Sequence, residues 1–194
     1  MPTSSATVLA ALRLEALAIG GEVIRTGMGH AKAGATGARL ARTLPEGCPL
    51  VIVGIAGGLA SPLVPGQLVV ADELHPPDGA PPIALPGAEE VAAELDRDGR
   101  DVVVGPVACS TSIVHGTARA DLARHGALAV EMESVWLARA LTGHPLAVVR
   151  AVGDTANHGF VSGNLKALAA LRHLRPALDR WARGAGQARP PADG

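Results

Sequence analysis

Tyrosine is absent from this 194-residue chain, phenylalanine occurs once, as Phe160, and Trp136 and Trp181 are the only other aromatics. Ring stacking can therefore contribute little anywhere in the protein. Cysteine is almost as scarce. Cys48 and Cys109 are too far apart in sequence for a paired metal motif and too few for a disulfide framework, which points to a reducing compartment, with the cytoplasm as the expected location. No charge of one sign dominates. With 17 Lys and Arg against 18 Asp and Glu and no basic block, the footprint of a nucleic-acid or anionic-membrane partner is missing. No apolar run reaches the roughly 18 residues of a membrane helix, and the N-terminus lacks the charged and apolar regions of a secretion signal. The seven histidines show no His-x-x-x-His or His-x-Glu pairing, so no metal site is expected.

What is present is enough apolar sequence, 48%, to bury one sizeable core. The expectation is a single domain over residues 1–183 followed by a disordered tail, 184–194. The most informative stretch is Val51-Ile52-Val53-Gly54-Ile55-Ala56-Gly57-Gly58-Leu59, continuing through Pro65-Gly66 into Gln67-Leu68-Val69-Val70-Ala71-Asp72-Glu73. The first run reads as a buried strand that stops in a tight turn at two adjacent glycines, where a ligand can reach main-chain N–H groups. The second reads as another strand.

Around these, the chain alternates between short apolar strands and helical patterns. Thr7–Leu12 is a first strand with Arg13 and Glu15 at its end. Glu15 reads either as a ligand-facing carboxylate or as a helix-opening glutamate. Glu22–Thr26 is a short strand, and Gly27-Met28-Gly29 turns it into a helix, Ala31–Leu44, whose amino end could seat an anion. A dinucleotide fingerprint is ruled out there because Lys32 stands where the third glycine belongs and no acidic residue ends the next strand. His75–Pro82 is a proline-rich surface loop that could serve as a lid. Glu89–Asp98 is helical and Asp101–Cys109 a strand. The aperiodic Ser110–Gly116 that follows reads as pocket lining or as a simple Ser/Thr turn, and His115 as a structural histidine.

A strand over Ala127–Val130 runs straight into Glu131-Met132-Glu133-Ser134 and then a helix, Val135–Leu141. Extended alternation puts Glu131 and Glu133 on one side and Met132 on the other, and a turn beginning here would change that geometry. The two carboxylates read equally as helix-capping charge and as ligand contacts. Leu146–Val152 is a strand ending at Gly153-Asp154, where the aspartate could simply cap the next turn. Leu165–Arg183 reads as one amphipathic helix kinked at Pro176. Glu15, Glu131, Glu133 and Asp154 thus all fall at strand ends, beside the glycine turns.

With those motifs in order, Gly54-Ile55-Ala56-Gly57-Gly58-Leu59, Pro65–Glu73, Val130-Glu131-Met132-Glu133-Ser134 and Val149-Arg150-Ala151-Val152-Gly153-Asp154 resemble the nucleoside phosphorylase superfamily. Within it they are most similar to methylthioadenosine/adenosylhomocysteine nucleosidases and hopanoid-associated nucleosidases. The resemblance implies a three-layer αβα sandwich around a mixed, mostly parallel sheet, no cofactor, and a homodimer. It also implies cleavage of the N-ribosidic bond of a 5′-substituted adenosine, with water or phosphate as co-substrate. Phosphorolysis and a catalytically silent nucleoside-binding module are the alternatives.

The same resemblance assigns roles. Asp154 would support protonation of the leaving purine, in which case its carboxyl has to be held in the acid form. Glu15 would polarise the attacking water, Glu133 hold the ribose hydroxyls and Met132 pack beside the sugar. Ala56, Gly57, Ile113 and Val114 would line the pocket, while Gly27, Gly29, Arg13 and Arg25 would serve an anion if phosphate binds. Two departures stand out. Ile113 occupies a place where the family often has an aromatic, so purine recognition has to rest on main-chain hydrogen bonds. The segment between the first strand and Gly27 is short, which leaves room for a large apolar 5′ group such as that of adenosylhopane.

Overall fold

The computed structural model describes residues 5–59, 62–155 and 160–185, apart from the side chains of 160–162. The start of the frayed N-terminal segment, the turn beyond Thr155 and most of the expected tail lie outside the described residues. The strands are β1 (Thr7–Ala10), β2 (Val23–Arg25), β3 (Leu50–Gly58), β4 (Leu68–His75), β5 (Ile83–Ala84), β6 (Val102–Cys109), β7 (Ala129–Glu131) and β8 (Leu146–Asp154). The helices are α1 (Arg13–Ile19), α2 (His30–Thr43), α3 (Ala88–Arg97), α4 (Gly116–Arg124), α5 (Ser134–Ala140), α6 (Phe160–Leu171) and α7 (Arg175–Ala185).

One sheet runs β2-β1-β3-β7-β6-β4-β5, with β8 paired to both β3 and β4. Five pairings are parallel: β1 with β2, β1 with β3, β3 with β8, β4 with β6 and β6 with β7. Three, β3 with β7, β4 with β5 and β4 with β8, are antiparallel. Strands buried on both faces must be apolar at successive positions, and these are. Val51, Val53, Val149 and Ala151 pack one way with α3, α6 and α7. Leu50, Ile52, Val148 and Val152 pack the other way with α2 and α5. Two cores on the two faces of a mixed sheet make the three-layer αβα sandwich.

Several local expectations are corrected. Gly57 and Gly58 do not form a turn: β3 runs through both, and they pair with Val130 and Ala129 of β7. Their missing side chains admit neighbours rather than bend the chain. The C-terminal helix is two helices, broken around His173, which takes a positive φ of 62°. Pro176 is the second residue of α7, where a proline costs no helical hydrogen bond. α7 also extends to Ala185, past the expected start of the tail. Helix α4, not anticipated from sequence, follows directly on the Ser110–His115 segment.

Candidate active site

The site is organised by Arg150, which lies opposite Gly54 in the parallel β3–β8 register and is 1% exposed. A guanidinium can cross the sheet face at this point because residue 54 has no side chain. A Cβ there would collide with Arg150 Nη1 and come within 2.9 Å of Glu15 Oε1. Arg150 Nη2 donates to Glu131 and, at 2.7 Å, to Ser134 Oγ, and it stands 3.9 Å from Glu133 Oε2. Burial opposes the arginine's charge, but Glu131, Glu133 and Glu15 together outweigh it and raise its pKa. Arg150 Nε has no hydrogen-bond partner among the described residues.

The two glutamates of the Glu-Met-Glu segment divide the work. Glu131 accepts the N–H groups of Glu133 (2.9 Å) and Ser134 (3.0 Å) and the Ser134 hydroxyl (3.1 Å). It therefore caps α5 in addition to pairing with Arg150. The Cys109 thiol also donates to it, held protonated by its own burial and by the Glu131 charge. Glu133 instead reaches across to α2 and accepts the Gly29 N–H at 2.8 Å. Burial pushes the Glu133 carboxyl above the ordinary glutamate value, with Arg150 pulling against that shift and Glu131 adding to it.

Met132 is not sent to the far side, as extended alternation would have it. The backbone turns at Glu133 (φ −130°, ψ −37°) to start α5. The Met132 methyl then lies 3.9 Å from where a Gly29 Cβ would be, beside the Glu133 contact.

Glu15 opens a helix, one of the two readings of its position. Oε2 accepts the Leu12 N–H at 2.8 Å, closing the amino end of α1, while Oε1 accepts the Ile55 N–H at 2.9 Å. Two residues along β3, Gly57 lies against Asp154: a Cβ on Gly57 would stand 3.3 Å from Asp154 Oδ1. A strand rises about 3.3 Å per residue, so the Glu15 contact at Ile55 and the Asp154 contact at Gly57 fall roughly 7 Å apart along β3.

The structure thus brings Glu15, Glu133, Met132, Gly29, Ala56, Gly57 and Asp154 to one region. It does not gather the rest. Arg13 and Arg25 are exposed, and so is Met28 between the positive-φ glycines Gly27 and Gly29. Ile113 is 65% exposed, and Val114 packs on a small cluster of Ala108, Ala127 and Val130. Ser112 N–H donates to Ser110 Oγ at 3.1 Å, the local Ser/Thr turn that was one reading of this segment. The proline-rich loop is held at Asp78 by two hydrogen bonds from Arg139 of α5, at 2.8 and 2.9 Å. Sequence reasoning missed Arg119, whose Nη1 donates to Asp154 Oδ2 at 2.6 Å, and it missed the hub role of Arg150. Arg150 was visible as a charge inside an apolar strand; Arg119 gave no signal.

A groove of about 580 Å³ lies elsewhere, lined by Leu85, Pro86, Leu146, Arg180 and Trp181 among others. Its arginine is already committed to Glu94 and Asp98. The carboxylates that follow β1 and β7 and end β8 are the better candidate.

Buried carboxylates gathered on a single arginine, at strand ends of an αβα sandwich, define the candidate site of an α/β protein. The family model described as the phosphorylase superfamily matches residues 22–172, and the chain belongs to that superfamily. Among solved structures, the S-adenosylhomocysteine nucleosidase of Streptococcus pyogenes in complex with 5-methylthiotubericidin is similar at 23% identity and a TM-score of 0.78, over 95% of this chain and 98% of that one. The 5′-methylthioadenosine/S-adenosylhomocysteine nucleosidase of Neisseria meningitidis in complex with methylthio-immucillin-A follows at 20% and 0.73, over 95% and 98%. The corresponding Streptococcus pneumoniae enzyme in complex with 8-aminoadenine shows 21% and 0.73, over 92% and 99%. None of the curated proteins matches the chain in sequence. Among the described residues, no helix is long and apolar enough to cross a membrane.

Proposed function

We propose that this protein is a purine nucleosidase that hydrolyses the N-ribosidic bond of a 5′-substituted adenosine and releases adenine. The observation that carries the reading is the charge imbalance around Arg150: three carboxylates, Glu15, Glu131 and Glu133, act on one guanidinium. A low-dielectric site with surplus negative charge favours a ligand that becomes cationic as it reacts, which a ribosyl group does when its base departs. Glu133, with Oε1 on the Gly29 amide, has Oε2 available for the ribose hydroxyls, and Met132 flanks the sugar. Glu15 polarises the attacking water; each of its oxygens has a second lone pair to accept from it. Asp154 attends the base nitrogen that must gain a proton, about one strand pair farther along β3.

The same imbalance disfavours phosphate. The Ile55 amide, which could have bound an anion, already serves Glu15, and the Gly29 amide serves Glu133. An arriving phosphate would meet carboxylates instead of free N–H donors, which weighs against phosphorolysis. The exposed Met28 beside the Gly29–Glu133 contact supports an apolar 5′ substituent, of which an adenosylhopane-like group is the extreme. A single domain, read from length and apolar content, and a cytoplasmic location, read from the two scattered cysteines, complete the reading, with a homodimer on the strength of the resemblance.

The test is to incubate the protein with purine nucleosides carrying hydroxyl, methylthio and long apolar 5′ groups, with and without phosphate, and to follow free base and ribose 1-phosphate. Base release independent of phosphate is expected, greatest for the apolar 5′ groups. Ribose 1-phosphate formation would make the protein a phosphorylase. Tight binding with no base released would make it a binding module.

A further inference from the structure

The Asp154 carboxylate is gripped by a residue from a different part of the chain. Arg119 projects from α4, and besides its 2.6 Å bond to Asp154 Oδ2 it donates from Nη2 to the Gly58 carbonyl at 2.8 Å and the Asp154 carbonyl at 3.0 Å. The location matters because the β3–β8 register slips there: Ala56 pairs with Val152, but Gly57 pairs with Asp154, leaving Gly153 as an extra residue. A bulge of this kind re-aims the side chain that follows it and loosens the ladder. Arg119 spans the loosened end, tying the last residue of β3 to the last of β8 and fixing the direction of the aspartate. A Cβ on Gly57 would stand 3.0 Å from Arg119 Nη2, so the bare strand leaves the guanidinium its seat.

The same contact anchors α4. No residue of that helix is buried, and in its first five residues every side chain except Arg119 is exposed. The helix begins where the Ser110–His115 segment ends, so whatever fixes Arg119 also fixes the carboxyl end of that segment.

We propose that Arg119 is a positioning residue for the reaction: it orients Asp154 at the bulge and ties α4 to the ends of β3 and β8, so that the direction of the Asp154 carboxyl depends on the seat of that helix. The proposal rests on the nucleosidase reading for its chemistry, but the staple itself does not. Arg119 acts through Asp154 and makes none of the sugar contacts. Misplacing a reacting group by about 1 Å costs on the order of 100-fold, and a loss of that size is expected in kcat for Arg119→Ala, with KM near the wild-type value. Added guanidinium ion at low concentration should restore part of the rate, and Arg119→Lys should retain more than Ala. In an Asp154→Asn background, Arg119→Ala should cause no further loss.

Hydrogen exchange supplies a readout that needs no turnover. Amides of Gly116–Arg124 and of the ends of β3 and β8 should exchange faster in Arg119→Ala. Unchanged exchange there would overturn the proposal. So would a wild-type kcat in Arg119→Ala, or an equal loss on top of Asp154→Asn. No base released by the wild type from any nucleoside, together with faster exchange in Arg119→Ala, would count against the nucleosidase reading and leave the staple standing.

Discussion

Replacing Arg150 by methionine is the most direct probe of the charge cluster, because the change removes the counter-ion and keeps most of the volume. The three carboxylates do not lose equally. Glu131 retains two main-chain donors and a hydroxyl, and Glu15 retains the Leu12 and Ile55 amides. Glu133 keeps only the Gly29 amide among the described hydrogen bonds. Breaking a buried pair by removing one partner costs about 3–5 kcal/mol, a large share of the roughly 5–15 kcal/mol by which a domain is stable. The loss should depend on pH in a definite direction. Arg150 is the principal influence holding the Glu133 pKa down against burial; without it that pKa climbs further above the unfolded value. The folded variant then binds more protons than the unfolded chain, and its stability rises as pH falls. Urea unfolding of both proteins at about pH 7.5 and about pH 5.5 measures this, and the gap between them should narrow at the lower pH. Adding Glu133→Gln to Arg150→Met should restore part of the loss. A loss under about 1 kcal/mol, or one identical at both pH values, would refute a buried, uncompensated cluster.

The fold was legible because strands buried on both faces leave near-continuous apolar runs, and β3, β4, β6 and β8 all do so. The site was legible in its acids and obscure in its bases. Glu15, Glu133 and Asp154 sit where strand ends meet glycines, a pattern visible along the chain. Arg119 reaches Asp154 from a short helix with an unremarkable sequence, and its partner groups include two main-chain carbonyls that no sequence pattern marks. The glycines misled for a related reason. Gly57 and Gly58 read as turn formers, yet they sit inside β3; what counts there is absent bulk, which at Gly54 leaves volume to Arg150 and Glu15 and at Gly57 to the Arg119–Asp154 pair. Glycine signals both backbone freedom and absent bulk, and only the partners across the sheet tell which applies.

Gly54→Ala should therefore cost about 1–3 kcal/mol by overpacking and lower base release by displacing Glu15, whereas Gly34→Ala, in α2 with nothing within 4 Å of the new Cβ, should stabilise by about 0.4–1 kcal/mol. Thermal melts of the two variants distinguish volume from flexibility; equal effects would refute the assignment. Glu133→Gln tests the trade between stability and activity. Because burial raises the Glu133 pKa, the ionised carboxylate is a liability in the folded state. That liability is absent below the unfolded value, grows as pH rises through the window up to the folded pKa, and is fully present above it. Glutamine keeps an oxygen for the Gly29 amide and carries no charge to desolvate. The variant should thus melt higher than wild type at neutral pH, match it more closely near pH 4, and release base far more slowly, since an amide holds ribose hydroxyls and a developing cation less well than a carboxylate. Lower stability at neutral pH together with full activity would mean that Glu133 is there to support Arg150 rather than to bind a sugar.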